Sequence, residues 1–452
     1  MSTVHPITVS DTPFVPVKDL IAALEGGKLD TTLDALGGAG GASAQRARAL
    51  ELVHNFAAAY GEDREVVLLT VAGRSELSGN HTDHNHGCVI AASISLDMLC
   101  VASRREDSII RLASNGFDEE VVDISAYTEP DSAKFGTSNA LIAGMCRGLA
   151  DAGYAVGGFD ACVTSDVLRG SGLSSSAAFE DMVGTILSHL YNNGRVDNVT
   201  IAKLAQYAEN QFFGKPCGLM DQVACAVGGI VAIDFADPAS PVITPLPFDM
   251  TAAGYHLCIV NTGGNHADLT ADYAAVPAEM KAVAATFGKA VLRDVPESDV
   301  LGAIPTLRER VGDRAVLRAL HFYAENRRVA DQKAAITAAM EATDTAARDA
   351  ALDTFFEGVL ASGRSSFCYL QNVYTTANVS EQGLSLALCL CERVLGGKRA
   401  AWRVHGGGFA GTVQAFVPTE LVGEFTTVMD AAFGRGATSD LRIRTVGAAR
   451  IF

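Results

Sequence analysis

Long apolar runs are missing from this sequence. The longest candidate, Cys88 to Ala102, is broken by Asp97, so no segment reaches the roughly 18 apolar residues that a membrane-spanning helix requires. The opening Met-Ser-Thr-Val-His-Pro has neither the charged nor the apolar region of a signal peptide. Basic charge is also short: 35 Lys and Arg against 52 Asp and Glu leave a formal net charge of −17. That balance argues against nucleic-acid or anionic-membrane partners, which demand a positive surface. It does not argue against a nucleotide, because a local cluster of backbone N–H groups can hold phosphate inside an acidic protein. The ten cysteines include no C-x-x-C pair; the closest two, Cys389 and Cys391, sit in an apolar stretch. They read as buried free thiols rather than zinc ligands or disulfides, which points to a reducing, cytoplasmic location. Nothing in the sequence sets an oligomeric state, and a monomer is compatible with it.

Apolar residues make up 48% of the 452 positions and charged residues 19%, enough for a substantial core in two or three domains or one two-lobed enzyme. Residues 1 to about 60 read as helices around the glycine-rich break Gly37–Ser43. Val66–Val71 predicts a buried strand that gives way at Ala72-Gly-Arg74 to a polar loop, and Cys88–Ile94 resumes a strand. Strands are expected at 109–112, 121–124, 230–233 and 257–260, and helices near 139–152 and 200–213. Phe179, Met182, Val183, Ile186, Leu187 and Leu190 trace one face of an amphipathic helix. Residues 277–362 read as mainly helical, and 401–417 as strand, glycine turn and strand. The mixture predicts an α+β fold of two lobes meeting near residues 235–250, divided as an extension (1–54), an N-terminal lobe (55–240) and a C-terminal lobe (241–452).

The loop Gly170-Ser171-Gly172-Leu173-Ser174-Ser175-Ser176-Ala177-Ala178 leads directly into that amphipathic helix. Glycines permit a tight path with exposed N–H groups, the serines can cap the helix or bind phosphate or a metal, and the helix N-terminus adds partial positive charge. A plain helix cap is the alternative reading. The loop is neither a Walker A loop nor a Rossmann fingerprint, since no G-K-[ST] or G-x-G-x-x-G is present there.

In the wider string Asp166–Ala178 this loop resembles the second motif of the GHMP small-molecule kinases. Gly73–His84 resembles the sugar-binding signature of the galactokinase branch, Cys217-Gly-Leu-Met-Asp-Gln222 its catalytic-aspartate segment, and His405–Thr412 its third, glycine-rich motif. Weaker matches lie at Asn261–Tyr273 and Arg318–Val329. The motifs run in order from about residue 55 to the C-terminus. The resemblance implies a two-lobed fold with the active site between the lobes, and ATP-dependent phosphorylation of a sugar's anomeric hydroxyl.

By the same resemblance Asp221 is the catalytic aspartate, with Arg74 as the cation beside it; the alternatives are a structural acceptor and a surface ion pair. Gly170, Ser171, Gly172, Leu173, Ser174, Ser175, Ser176 and Ala177 bind the nucleotide. Ser176 and Glu209 match the magnesium ligands, a sparse protein shell of the kind magnesium accepts. Arg74, Asn80, His81, Asp83, Asp221 and Tyr273 bind the sugar, with Asp234 near the same pocket. The spacing of His81, Asp83, His84 and His86 also invites a transition-metal reading, though one irregular turn would have to build the whole site.

The chain departs from the branch's pattern at Glu76, Ser78, Asn80 and His84. Asn80 stands where a glutamate meets the sugar's C6 hydroxyl, and an amide there would tolerate an altered C6. Galactose is the expected substrate. A galacturonate-type sugar is the rival within the same chemistry, and a non-catalytic sugar and ATP sensor the rival outside it.

Overall fold

A computed structural model describes residues 14–37, 41–167, 173–215, 217–263 and 269–452. A short strand, β1 (Val15–Pro16), is followed by three helices, α1 (Val17–Glu25), α2 (Asp30–Ala35) and α3 (Gly41–Tyr60). Next come β2 (Glu65–Ser78), β3 (Cys88–Arg104), β4 (Ile109–Ser114), β5 (Glu120–Asp123), α4 (Ser138–Asp151), β6 (Phe159–Ser165), α5 (Ser175–Tyr191), α6 (Asn198–Tyr207), α7 (Met220–Val227), β7 (Ile230–Asp234) and β8 (Val242–Leu246). The second half contains β9 (Tyr255–Asn261), α8 (Thr270–Thr286), α9 (Glu297–Gly302), α10 (Ile304–Arg310), α11 (Asp313–Glu341), α12 (Thr345–Ser365), α13 (Gly383–Leu395), β10 (Ala401–Val404), β11 (Thr412–Pro418), α14 (Val422–Phe433), β12 (Thr438–Leu441) and β13 (Ala449–Arg450).

Among the described residues the first sheet runs β1-β2-β3-β6-β4-β5, with β13 also paired to β2 and the β7–β8 hairpin paired to β3. Every neighbouring pair is antiparallel except β4 and β6, which run parallel and are joined across α4. One face is covered by α4 to α7, whose Met145, Met182, Val183 and Ile186 share a single core with Phe159 of β6 and with Phe212. The other face takes α1 to α3. Val17, Leu20, Leu24, Leu52, Val53 and Phe56 lie fully or almost fully buried against Val66, Leu68, Leu99 and Val101, and each large apolar side chain so covered contributes roughly 1.5–3 kcal/mol. The N-terminal segment is therefore a layer of the first lobe. Gly41 to Ser43, read from sequence as part of a break, open α3; Gly38 to Gly40 lie outside the described residues.

A second, antiparallel sheet has the order β10-β11-β9-β12, with α13 and α14 on one face. A core cluster joins the two sheets: Ile90, Ile94 and Ile230 of the first meet Leu257, Ile259 and Phe416 of the second through Val329, Ile336 and Phe355 of α11 and α12. The sheets do not divide at residue 240 as the sequence suggested. Val242–Leu246 pairs with β7, and the chain's last segment returns to the first sheet, where Ile443 bridges Ile94 and β13 pairs with β2.

Strand β2 also differs from its expected end at Ala72: it continues to Ser78, almost wholly buried. Its pairing with β3 slips between Ala72 and Arg74 and again between Glu76 and Ser78. Such irregularities bend a strand and re-aim side chains, and here they fall on the sugar-signature residues. No helix among the described residues is long and apolar enough to cross a membrane. All ten cysteines are free; Cys368 and Cys389 are exposed rather than buried.

Candidate active site

Arg74 leaves β2 at the register slip, and its backbone N–H donates to the Leu173 carbonyl, tying the strand to the segment that precedes α5. The guanidinium grips Asp221 with both arms, Nε to Oδ1 and Nη2 to Oδ2, each 2.8 Å. Ser174 Oγ donates to the same carboxylate at 2.5 Å. Ser174 has a left-handed backbone and makes no side-chain cap on α5. Its hydroxyl is spent on Asp221 rather than on the helix, so the capping expected from sequence is replaced by a bond across to α7.

Asp221 lies in the first turn of α7, where the helix dipole favours an anion. Burial acts to raise its pKa, but the Arg74 charge, the two Arg74 hydrogen bonds and the Ser174 hydroxyl outweigh it and hold the carboxyl below its ordinary value. About 35% of the side chain stays exposed, which leaves a face free to meet a hydroxyl.

Glu209 sits behind this pair, in a π-helical turn (Ala208–Phe213) that continues α6. Such turns cluster at functional sites. Its carboxylate is almost fully buried and accepts from Lys215 Nζ at 2.8 Å and Gln222 Nε2 at 2.9 Å. Lys215 is 60% exposed at its side chain. Burial would lower its pKa, but Glu209 more than compensates and keeps the ammonium charged. Ser176 is exposed in the first turn of α5, whereas Gly170, Ser171 and Gly172 lie outside the described residues.

At the sugar end, the loop between β2 and β3 is held by the second lobe. His81, with φ 60°, places Nε2 2.9 Å from the Gly407 carbonyl. A carbonyl only accepts, so Nε2 carries the proton and Nδ1 remains an acceptor. Burial pushes the imidazole pKa down to about 4, so the ring is neutral at ordinary pH. Tyr273 donates its hydroxyl to the Gly408 carbonyl at 2.8 Å and packs edge-on against Phe409. Gly407 is required there, because a Cβ would lie 2.2 Å from the tyrosine ring. Asp83 leans on the segment leading to Asp221, so closely that a Cβ on Gly218 would fall 2.5 Å from its Oδ2.

Asn80 does not join them. It has no exposed surface, and its amide is saturated. Nδ2 donates to Glu76 Oε1 and the Gly406 carbonyl, and Oδ1 accepts from Ser366 Oγ and Asn372 Nδ2. Glu76 in turn pairs with buried Arg403. Asn80 thus ties the signature loop to Gly406, Ser366 and Asn372 of the second half of the chain. Asp234 likewise pairs with Arg293 at 3.0 Å rather than joining Tyr273. In the histidine-rich turn, His81 is committed to Gly407 and His84 Nε2 stands 4.0 Å from Asp83. Among the described residues no three His, Cys, Asp or Glu side chains are grouped to hold a metal.

Sequence reasoning missed Lys215, Gln222 and the buried partner His405, whose ring contacts Ser75 Oγ at 3.0 Å and Thr412 Oγ1 at 2.9 Å. A lone lysine in a loop carries no pattern. His405 stood beside glycines that drew the attention to backbone.

Comparison with known proteins agrees with this arrangement. The sequence matches the GHMP kinases N terminal domain over residues 140–229 and the galactokinase galactose-binding signature over residues 54–104. A galactokinase of Streptomyces coelicolor is 33% identical over 394 residues, covering 86% of this chain and 94% of that protein. One from Actinobacillus pleuropneumoniae is 31% identical, covering 77% and 85%. Among solved structures, Lactococcus lactis galactokinase complexed with galactose superposes with a TM-score of 0.71 at 24% identity, covering 88% of this chain and 98% of its own. The Methanococcus jannaschii mevalonate kinase gives 0.57 at 13% identity, covering 84% and 98%. With its signature on β2 and β3, its arginine–aspartate pair joining β2 to α7 and a relative matched over nearly its full length, the chain belongs to the galactokinases of the GHMP kinase group.

Proposed function

We propose that this protein transfers the γ-phosphoryl group of ATP to the anomeric hydroxyl of galactose, giving galactose 1-phosphate and ADP. The observation that carries this reading is the two-armed Arg74–Asp221 pair beside the start of α5. An ionised carboxylate with one exposed face can accept a hydrogen bond from a sugar hydroxyl, orient it, and take its proton. Because phosphoryl transfer passes through a loose transition state, the proton can leave late, and a carboxylate of low pKa suffices. Arg74 keeps that carboxylate ionised and offsets developing negative charge.

The Ser174–Ala177 turn and the first N–H groups of α5 hold the nucleotide phosphates, together with Gly170–Gly172. Asp83, His81 through its free Nδ1, and Tyr273 line the sugar side. Ser176 and Glu209 are the residues that would hold magnesium, Glu209 by yielding its bond to Lys215, and the ion would supply charge neutralisation between phosphate oxygens. A cytoplasmic site of action suits ten free thiols.

The galacturonate-type alternative drew its support from an Asn80 facing C6, and Asn80 is sealed from the cleft. A sensor would have no need of the Asp221, Arg74, Ser176 and Glu209 set. An ADP-release assay over hexoses, hexuronates and deoxyhexoses tests the reading. Galactose is expected to turn over at least as well as the others; no turnover on any sugar, with sugar and ATP still bound, would overturn the enzyme assignment.

A further inference from the structure

We infer that Arg48, on helix α3 of the N-terminal layer, is a positioning residue for the nucleotide site, clamping the point where the chain leaves β6 for the phosphate loop. The inference rests on the proposed placement of ATP phosphates at that loop. Arg48 reaches across the outer face of the first sheet to two carboxylates at once. Nη1 lies 2.6 Å from Asp97 Oδ1 and 2.9 Å from Asp166 Oδ2. Nη2 donates to the Asp97 carbonyl at 2.9 Å and the Thr164 carbonyl at 3.2 Å.

Asp97 is the node of this arrangement. Its Oδ2 accepts from Arg444 at 2.7 Å and Thr70 at 2.7 Å, and its carbonyl accepts the Asp166 backbone N–H at 2.9 Å. Burial favours its neutral form, but the Arg444 and Arg48 charges prevail and keep it ionised. Asp97 pairs with Ala72 at the residue where β2 and β3 change register, just before Arg74 emerges. The far end of the loop is tied to the same place, since Arg74 N–H donates to the Leu173 carbonyl.

Entry and exit of the phosphate loop are thus fastened beside the slip that aims Arg74. On the entry side the fastening includes a guanidinium supplied by residues that precede the family's motifs. Arg is suited to this because its planar fork can serve two carboxylates and two carbonyls together, which an ammonium cannot. Misplacement by about 1 Å at a phosphoryl-transfer site costs on the order of 100-fold in rate, so a partial loosening is visible as kinetics before it is visible as unfolding.

The test uses the full chain with Arg48→Ala, Arg48→Lys, Asp166→Asn and the Arg48→Ala/Asp166→Asn double variant. The control is Leu52→Ala, which removes a buried side chain from the same helix without touching the clamp. Magnesium-ATP binding is measured directly by calorimetry, alongside KM for ATP and for galactose. Arg48→Ala is expected to weaken ATP binding and raise KM for ATP roughly tenfold, a fraction of the misplacement cost above, while KM for galactose stays within about twofold. Arg48→Lys is expected to fall between, and the double variant to be no worse than Arg48→Ala alone, because the two residues share one interaction. Leu52→Ala is expected to lower Tm without changing the ATP constants.

Unchanged ATP binding in folded Arg48→Ala, an equal shift in both substrates, or the same ATP defect in Leu52→Ala would overturn the inference. If Arg48→Ala does not fold, Asp166→Asn decides, since its side chain is 43% exposed. Wild-type ATP binding in that variant would overturn the clamp. Because ATP binding is read without sugar, failure of galactose turnover would sink the proposed function and leave this measurement standing.

Discussion

Near the Arg74–Asp221 pair two charged groups, Asp221 and Lys215, keep a good part of their surface, whereas the charged partners of Asn80 are buried. Asp221 and Lys215 are partly exposed, and Arg74 holds Asp221 with two arms. Near Asn80, the buried Glu76, Arg403, Glu325 and His321 bond to one another, to Ser362 and Ser365, and to the backbone of the signature loop. Both regions are rich in polar residues and both belong to the signature or its neighbours. What separates them is exposure. A buried network holds the lobes in register, and a partly exposed carboxylate is available to a substrate.

The sharpest way to break that contrast is Asp221→Asn. It keeps the shape but removes the accepting charge, so turnover is expected to fall about 100- to 10,000-fold, with ATP binding largely intact by calorimetry. A near-normal rate would refute the role of Asp221. In the closed region, Arg403→Met strands the Glu76 carboxylate, and burying an unpaired charge costs about 3–5 kcal/mol. Chemical denaturation should show a loss of that size, with sugar KM unchanged in whatever folds; a neutral stability effect would mean that the network is not load-sharing.

Asn80→Asp would place a second carboxylate against Glu76 in the same sealed space. Stability is expected to drop by about 1–3 kcal/mol, and more at high pH than at low, because protonation relieves the repulsion. A change in sugar preference without loss of stability would instead put residue 80 in the cleft.

The pH dependence of the open region has a definite sign. Asp221 carries a lowered pKa, so its contribution to stability is complete above the ordinary carboxylate range near ~4. It is lost as pH falls through the lower folded value. The acidic limb of kcat/KM should therefore lie below that range, and Arg74→Met should move it upward; an unmoved limb would assign it to another group. The smallest effect is expected at Lys215, which is 60% exposed but pairs with the almost fully buried Glu209 carboxylate. Lys215→Ala leaves that carboxylate with Gln222 as its remaining donor and is expected to lower stability by about 1 kcal/mol, read as a small drop in Tm.

Much of the fold was readable in short stretches. The strands at 230–233 and 257–260, the helix carrying Met182 and Ile186, and the strand–turn–strand at 401–417 all follow from periodicity and glycine placement, and the structure has each. The continuation of β2 through Arg74 and Glu76 was not readable. Polar residues there look like loop, and Asp221, His405, Arg403 and Gln332, brought from far along the chain, give them partners inside the protein. The same holds for the site. Asp221, Arg74 and Ser174 could be named from motif and order, while Lys215 had no local signal and the burial of Asn80 depends on residues far along the chain.

By itself the sequence determined the class of chemistry, the elements that carry it and the family, because these are written in consecutive residues and in the order of motifs. Only the tertiary structure decided which polar atoms remain free, that the C-terminal strand belongs to the first sheet, and that Arg48 of the N-terminal layer reaches Asp97 and Asp166. Those outcomes depend on partners 49 to 381 residues apart, and the hydrogen bonds an atom makes are a property of the space around it, not of its neighbours along the chain.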